Sequence, residues 1–121
     1  MRLYALRGAV TVSDNDAEAI LEATEQLMRE LLSRNQLDAD DLVSCIFTLT
    51  EDLDAEFPAV AARRIGLTGV PLLCAREIPV AGAMPRVIRV LMHCYLRDGA
   101  GPQHVYLRDA AALRLDLSGA Q

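Results

Sequence analysis

A single long amphipathic segment sets the main limit on what this chain can fold into. Ser13 or Asp14 can cap a helix, acidic residues fill its first turn, and Asn35 is suited to end it. Between these residues the apolar side chains recur at helical spacing and form one stripe, made of Ile20, Leu21, Thr24, Leu27, Met28, Leu31 and Leu32. The sequence therefore predicts one long helix with one apolar face to bury.

Five other stretches have the length and the alternation that are typical of β-strands. In the first, one face would carry Leu3, Ala5, Arg7, Ala9 and Thr11. In the second, one face would carry Val43, Cys45, Phe47 and Leu49. The predicted strands are residues 2–12, 42–50, 70–74, 86 or 87 to 95, and 104–107.

The segments between the strands carry turn residues and helix-boundary residues. Phe57-Pro58 opens a short helix that Gly66 ends, because proline fits the first helical position and glycine fits the position after the last turn. Two prolines and a glycine make residues 78–85 a loop, and residues 98–102 form a turn. Residues 110–121 are expected to form an irregular tail.

This order of elements predicts a mixed α+β fold. A mixed sheet of about five strands would pack on one long and one short helix, in a single domain over residues 1–121 whose tail at 115–121 could move. One long helix can cover only part of the apolar surface of a sheet. Because few elements remain for the second face, we expect another subunit to cover it.

Charge and cysteine content argue against several classes of function. The 121 residues carry a net charge of −5, which argues against nucleic acid or an anionic membrane as a partner. No apolar run is long enough to cross a bilayer, and Arg7 and Asp14 interrupt any signal-peptide core, so we expect a cytoplasmic protein. Cys45, Cys74 and Cys94 are far apart and fit neither a disulfide framework nor a zinc site.

The chain contains no lysine, which excludes Schiff-base chemistry and the lysine of phosphate-binding loops. Any bound anion must therefore be held by arginine, whose planar guanidinium can bind a carboxylate through two bonds. Arg7 and Arg89 are the candidates, because each lies within an apolar strand, where a guanidinium is costly unless an anion meets it. Two alternatives stay open: each arginine points to solvent, or pairs with Glu77.

The other reactive side chains have ordinary explanations beside functional ones. Glu77 could be a surface carboxylate, and Tyr106 could be a core aromatic or a hydroxyl donor. Cys74 has no adjacent base to activate it, so covalent catalysis is not expected. His93 and His104 lack ligand-like spacing, so we predict neither a metal nor a cofactor. This inventory suits a reaction that needs only binding and electrostatics.

Five short motifs occur in order along the chain: Leu6-Arg7-Gly8-Ala9, Phe57-Pro58-Ala59, Cys74-Ala75-Arg76-Glu77, Ile88-Arg89-Val90 and His104-Val105-Tyr106-Leu107. With the chain length and the long first helix, they resemble the monofunctional chorismate mutases of the AroH class. The resemblance implies an enzyme that rearranges chorismate to prephenate, in the route to phenylalanine and tyrosine, without a cofactor or a covalent intermediate. It also implies a homotrimer, similar to a pseudo-α/β-barrel, with active sites at the subunit interfaces.

Carried over by position, the resemblance implies a role for each central residue. Arg89 would bind the ether oxygen of chorismate as negative charge develops there. Arg7 and Tyr106 would hold the enolpyruvyl carboxylate, and Glu77 and Cys74 would meet the ring hydroxyl. One subunit would supply Arg7, Glu77, Arg89 and Tyr106, and its neighbour would supply the set from residue 57 to residue 74.

The mouth of the site departs from the family pattern. Arg63 would lie near the ring carboxylate, but Val60 stands where some members of the family carry a lysine. Leu73 replaces a polar residue, and Leu115 replaces a proline of the tail motif. The resemblance places the other substrate-binding positions at Phe57, Ala59, Leu72, Leu73, Leu113 and Arg114.

Two other functions stay open on the sequence alone. One is a non-catalytic trimeric binder of small carboxylates. The other is an imine or enamine deaminase, because a family with that activity shares the trimeric architecture, although no residue pattern here supports it. Loss of the ultraviolet absorbance of chorismate on mixing with the protein would separate the mutase from the binder.

Overall fold

The computed structural model describes the backbone of residues 1–119 and the side chains of residues 1–114. Its two α-helices are α1 (Ala17–Arg34) and α2 (Pro58–Arg64), and 3₁₀ segments cover Ala39–Asp41 and Arg108–Gly119. The strands of the described residues are β1 (Arg2–Thr11), β2 (Leu42–Leu49), β3 (Leu72–Arg76), β4 (Val87–Leu96) and β5 (Val105–Leu107).

The strands form one mixed sheet in the order β3-β2-β4-β1-β5. The central strand β4 pairs antiparallel with both β1 and β2. The outer strands are parallel to their neighbours, β5 to β1 and β3 to β2. The predicted mixed α+β fold with a sheet of about five strands is confirmed.

Both helices pack on the same face of the sheet and bury the main core there. Most of the apolar stripe of α1 is buried, with Leu27, Met28 and Leu31 fully so and Leu32 only in part. It meets the inward side chains of the central strands, such as Leu6 of β1 and Met92 of β4. Burial of this kind stabilises a fold by roughly 1.5–3 kcal/mol for each large apolar side chain.

The opposite face, called the open face below, is covered only at one end within the described residues. There Ala9 and Val87 pack with Ala110 of the C-terminal 3₁₀ helix, in a small cluster separate from the main core. Elsewhere large apolar side chains remain accessible, with Leu3 51% and Leu73 61% exposed. One long helix and one short helix therefore leave much of this face unburied.

Helix α1 begins later than predicted, because its N-cap is Asp16 rather than Ser13 or Asp14. The Asp16 carboxylate accepts a hydrogen bond of 3.0 Å from a backbone N–H of the first turn. Asn15 is engaged elsewhere, since its side-chain oxygen accepts hydrogen bonds from the backbone of residues 54–55. Because Asn15 makes these contacts outside the helix, the helix begins only after Asp16.

The main differences from the predicted strands lie in β3 and β2, where pairing rather than apolar content sets bounds and faces; the other strand ends differ by one residue. Strand β3 spans Leu72–Arg76 instead of residues 70–74, because it pairs with Cys45–Leu49 of β2. A register shift after Leu42 moves Val43 out of the face that alternation predicted, so Val43 is 40% exposed while Leu42 is buried.

The residues after β5 are not irregular, as predicted, but form the 3₁₀ helix Arg108–Gly119. In such a helix residues three apart lie above one another. Ala110 and Leu113 have this spacing, and both pack at the cluster around Ala9. The tail at 115–121 was predicted to move. The side chains of these residues, and the backbone of residues 120–121, lie outside the described residues.

Gly8 provides a test of how closely α1 approaches the sheet. A Cβ at Gly8 would lie 3.0 Å from one methyl group each of Leu27 and Leu31, and 3.2 Å from one of Val90. Gly8→Ala should overpack this contact and lower the free energy of unfolding by about 1–2 kcal/mol, measured by urea titration. Gly101→Ala is the matched control, since nothing lies within 4 Å of its added Cβ. Equal stability of the two variants would contradict the close packing.

Candidate active site

A row of paired residues crosses the open face from one edge of the sheet to the other. Ala75, Thr48, Arg89, Ala9 and Tyr106 follow one another on β3, β2, β4, β1 and β5. Arg89 and Tyr106 stand two strands apart, and neighbouring strands lie about 4.8 Å from each other. The small side chain of Ala9 lies between these two residues, packed against Ala110, and all three side chains line a common space on this face.

That space is part of a cavity of about 280 Å³. Small-molecule sites are commonly apolar concavities with a few converging polar groups, and this one fits that description. Three residues predicted from the sequence meet in it, since Arg7, Arg89 and Tyr106 all line it. The full lining is Arg7, Gly8, Ala9, Ile46, Thr48, Arg89, Val90, Leu91 and Tyr106.

Arg89 forms an ion pair with Glu77 beside the cavity. Its Nε lies 3.0 Å from Oε2 of Glu77, and the two side chains are only 31% and 16% exposed. The same Oε2 accepts a hydrogen bond of 2.6 Å from the hydroxyl of Thr48. The Arg89 Nε–H is not aligned with the carboxylate and has no hydrogen-bond acceptor among the described residues. Of the two sequence-based alternatives for Arg89, pairing with Glu77 is the one found.

Arg7 is held in place through its backbone by His104. The Arg7 N–H donates a hydrogen bond of 3.0 Å to Nδ1 of His104, directly before the start of β5. Nδ1 can accept this bond only when it carries no proton. Burial, followed by the charges of Arg7 and Arg114, lowers the pKa of His104 from its ordinary value. The neutral imidazole therefore extends the contact between β1 and β5 by one residue.

The C-terminal 3₁₀ helix brings two more predicted residues to this end of the cavity. Leu113 is half-buried and, like Tyr106, packs against the cluster around Ala9. Arg114 is exposed, and its charge acts on His104. Both positions are thus compatible with a role at the edge of the site.

Phe57 and Cys74 lie away from the Arg89 cavity within one chain. Cys74 pairs with Phe47, which places it on the face covered by the helices. With Phe57 it lines a second concavity of about 180 Å³. Phe57 caps the start of α2 and is 65% exposed. The sequence-predicted residues therefore divide into two groups at two places on the chain.

The remaining predicted substrate-binding residues also lie outside the cavity. Leu73 is on the open face, beside Ile46, at the β3 edge. Leu72 is half-buried against the main core, and Ala59 is buried in that core. Arg63 is exposed in the last turn of α2.

Thr48 is the polar residue of the cavity that sequence reasoning missed. Alternation in β2 places it on the face opposite Phe47, and that was the available signal. Its position beside Arg89 depends on the pairing of β2 with β4, and strands so far apart in sequence give no local sign of pairing. His104 was missed as a partner of Arg7 for the same reason.

Three features of the described residues concern metal binding, membrane crossing and the reactivity of a thiol. These residues contain no group of three or more His, Cys, Asp or Glu side chains that could hold a metal ion. None of their helices is both long and apolar enough to cross a membrane. Burial and the neighbouring Cys94 thiol raise the pKa of Cys45 to about 12, so this cysteine stays protonated.

The comparison with known proteins shows to which family the chain belongs. Residues 3–117 match the family described as chorismate mutase type I. The chain belongs to the type I chorismate mutase family. The activity that follows from this family is the isomerisation of chorismate to prephenate, as the sequence motifs predicted.

Relatives of known name agree with this assignment over nearly the whole chain. Chorismate mutase AroH of Thermus thermophilus is 50% identical over 121 residues, which cover 96% of this chain and 97% of the relative. Chorismate mutase AroH of Bacillus subtilis (strain 168) is 38% identical over 121 residues, covering 98% and 94%. The solved structure of a chorismate mutase from Clostridium thermocellum superimposes with a TM-score of 0.87 at 47% identity, covering 90% of this chain and 98% of that one.

The His104 contact predicts how the stability of this chorismate mutase responds to acid. Because the pKa of His104 is lowered from its ordinary value of 6.5 in the folded protein, the unfolded chain takes up a proton first as the pH falls. The contribution of His104 to stability is therefore present above about pH 6.5 and declines below it. His104→Asn offers an amide oxygen that cannot titrate in this range, so it should flatten the decline. Unfolding free energies that fall equally in both proteins between about pH 7.5 and 5.5 would contradict this account.

Proposed function

We propose that the cavity on the open face binds chorismate, and that a homotrimer completes each active site across a subunit interface. The observation that carries the proposal is the division of the site residues into two groups. Arg7, Arg89 and Tyr106 line one cavity. Phe57 and Cys74 line another concavity, so a complete site would need the first group of one subunit and the second group of its neighbour.

Exposed apolar surface supports such an assembly. Leu3, Leu73 and Tyr95 lie on the open face, and each is more than two-fifths exposed, with Tyr95 at 44%. Strand β3 is at the edge of the sheet. A neighbouring copy that sets its β3 edge and the start of its α2 against the open face would bury these side chains and bring Phe57 to the cavity.

The charges of the cavity suit a dicarboxylate substrate with a reacting ether bond. Arg89 would bind the ether oxygen, and Arg7 and Tyr106 would hold the enolpyruvyl carboxylate. Glu77, which already contacts Arg89, would receive the ring hydroxyl together with Cys74 of the neighbouring copy.

The neighbouring copy would also supply the mouth and most of the wall. Arg63 is exposed at the end of α2 and would meet the ring carboxylate there. Leu113 and Arg114 of the C-terminal 3₁₀ helix would close the edge from the first subunit. The wall contributed by the neighbour would consist of Phe57, Ala59, Leu72 and Leu73.

Two physical effects are enough for this reaction. Holding chorismate in its compact, chair-like conformer removes an entropic part of the barrier. A fixed guanidinium beside the ether oxygen stabilises the charge that grows as the carbon–oxygen bond breaks, so it favours the transition state over the ground state. A millionfold acceleration corresponds to about 8 kcal/mol. Neither effect needs a nucleophile, a metal ion or a cofactor.

The state of the Arg89 guanidinium supports its assignment to the ether oxygen. The ion pair with Glu77 uses Nε, so Nη1 and Nη2 are not engaged by that contact. These terminal nitrogens are the donors that the ether oxygen would meet in the cavity. We propose further that residues 1–121 act as a single domain in the cytoplasm.

Arg89 should be the residue whose loss costs turnover most. The negative charge that Arg89 would stabilise on the ether oxygen exists mainly in the transition state. Arg89→Ala should therefore lower kcat by about 10²–10³ or more rather than only raise KM. Arg89→Lys should rescue poorly, since the ammonium group lacks the planar fork of donors. The assay is the loss of chorismate absorbance and the yield of prephenate.

Arg97→Ala is the matched control, because Arg97 is an exposed arginine directly after β4 and is not among the residues of the cavity. Its kcat should equal that of the parent protein. If Arg89→Ala keeps the fold and the oligomer size, yet turns over chorismate within about tenfold of the parent, the electrostatic role of Arg89 is wrong.

A further inference from the structure

The hydroxyl of Thr48 has a contact that the strand itself does not require. Thr48 pairs with Arg89 of β4 on one side and Ala75 of β3 on the other. These ladders use backbone atoms, so a valine of the same shape would serve the sheet equally well. The hydroxyl instead donates a bond of 2.6 Å to Oε2 of Glu77, a length typical of a strong bond to an ionised carboxylate.

Glu77 is tied to β2 and β4 by three separate contacts. Its backbone N–H donates a hydrogen bond of 2.9 Å to the carbonyl of Leu49, at the end of β2. Its Oε2 accepts from Thr48 and lies 3.0 Å from Nε of Arg89. Backbone and carboxylate are therefore fixed together, next to the cavity that Arg89 and Thr48 line.

We propose that Thr48 is a positioning residue for the reaction, which fixes the Glu77 carboxylate so that Glu77 in turn orients the Arg89 guanidinium. The inference rests on the proposed function, since it deepens the role given to Arg89 there. Thr48 does not touch the reacting atoms in this account. It acts through Glu77, and its contribution is to hold one carboxylate oxygen in place.

The arrangement divides the two oxygens of Glu77 between separate tasks. Oε2 is engaged by Thr48 and Arg89, so Oε1 is the oxygen available to receive the substrate hydroxyl. On the arginine, the contact with Glu77 occupies the Nε side, and the terminal nitrogens are the donors for the ether oxygen. Without the Thr48 hydroxyl, the carboxylate could rotate and the guanidinium would lose a fixed support, although its charge would remain.

Steady-state kinetics on three variants of Thr48 test this inference. Thr48→Val and Thr48→Ala both remove the hydroxyl, and Thr48→Ser keeps it. Because a hydrogen bond to a charged group contributes about 1.5–3 kcal/mol, we expect kcat to fall by roughly 10–100-fold in Thr48→Val and Thr48→Ala. KM should change by less than about threefold, since the substrate carboxylates are held elsewhere. Thr48→Ser should restore kcat to within about threefold of the parent.

Thr24→Val is the matched control for removing a buried hydroxyl. Thr24 lies in α1, on the other side of the sheet, and its hydroxyl bonds only to a backbone carbonyl of the same helix, at 2.8 Å, among the described contacts. The kcat of the Thr24→Val variant should equal that of the parent protein. The use of both Val and Ala at position 48 separates loss of the hydroxyl from a change of shape.

The outcomes separate this inference from the proposed function. If Thr48→Val and Thr48→Ala keep the parental kcat while Arg89→Ala loses it, Thr48 has no positioning role and the assignment of Arg89 stands. If Thr48→Ser is as slow as Thr48→Ala, the hydroxyl is not the cause and the inference is overturned. If the parent protein itself turns over no chorismate, the proposed function fails first.

Discussion

A sheet with both α-helices on one side has a second face that the described residues bury only in part, and the candidate site depends on that constraint. Helices α1 and α2 both pack on the same face. The face left open carries Arg7, Thr48, Arg89 and Tyr106 around the small side chain of Ala9. A covered face would have to be filled with apolar side chains, whereas an uncovered one can present cations to a ligand.

The cations of that face are kept in place by contacts that lie partly outside the cavity. Glu77 offsets the cost of the half-buried charge on Arg89. His104 holds the backbone of Arg7 through a neutral imidazole nitrogen. Arginine does not lose its proton in a protein, so the positive charge of the site is fixed and only its position has to be secured. This suits a reaction in which electrostatics and geometry replace proton transfer.

Local sequence patterns predicted much of this fold, because helix and strand periodicities are properties of neighbouring residues. The start of α2 at Pro58 and its end before Gly66 were predicted for the same reason, since both residues act on their own backbone. Pairing between strands was not predictable in this way. It decides that Thr48 lies beside Arg89, and it causes the register shift that exposes Val43. The five motifs identified the family and its activity, whereas the roles of single residues remain proposals.

The most direct test of a site shared between subunits is a mixed trimer. Arg89→Ala and Arg63→Ala chains, carrying different tags, are co-expressed and purified on both tags. If each site takes Arg89 from one subunit and Arg63 from its neighbour, about one site in three of every mixed trimer has both arginines intact. At low chorismate concentration, the mixed trimers should then reach about a third of the parental rate. A rate no higher than the mean of the two separate variants would contradict the shared site.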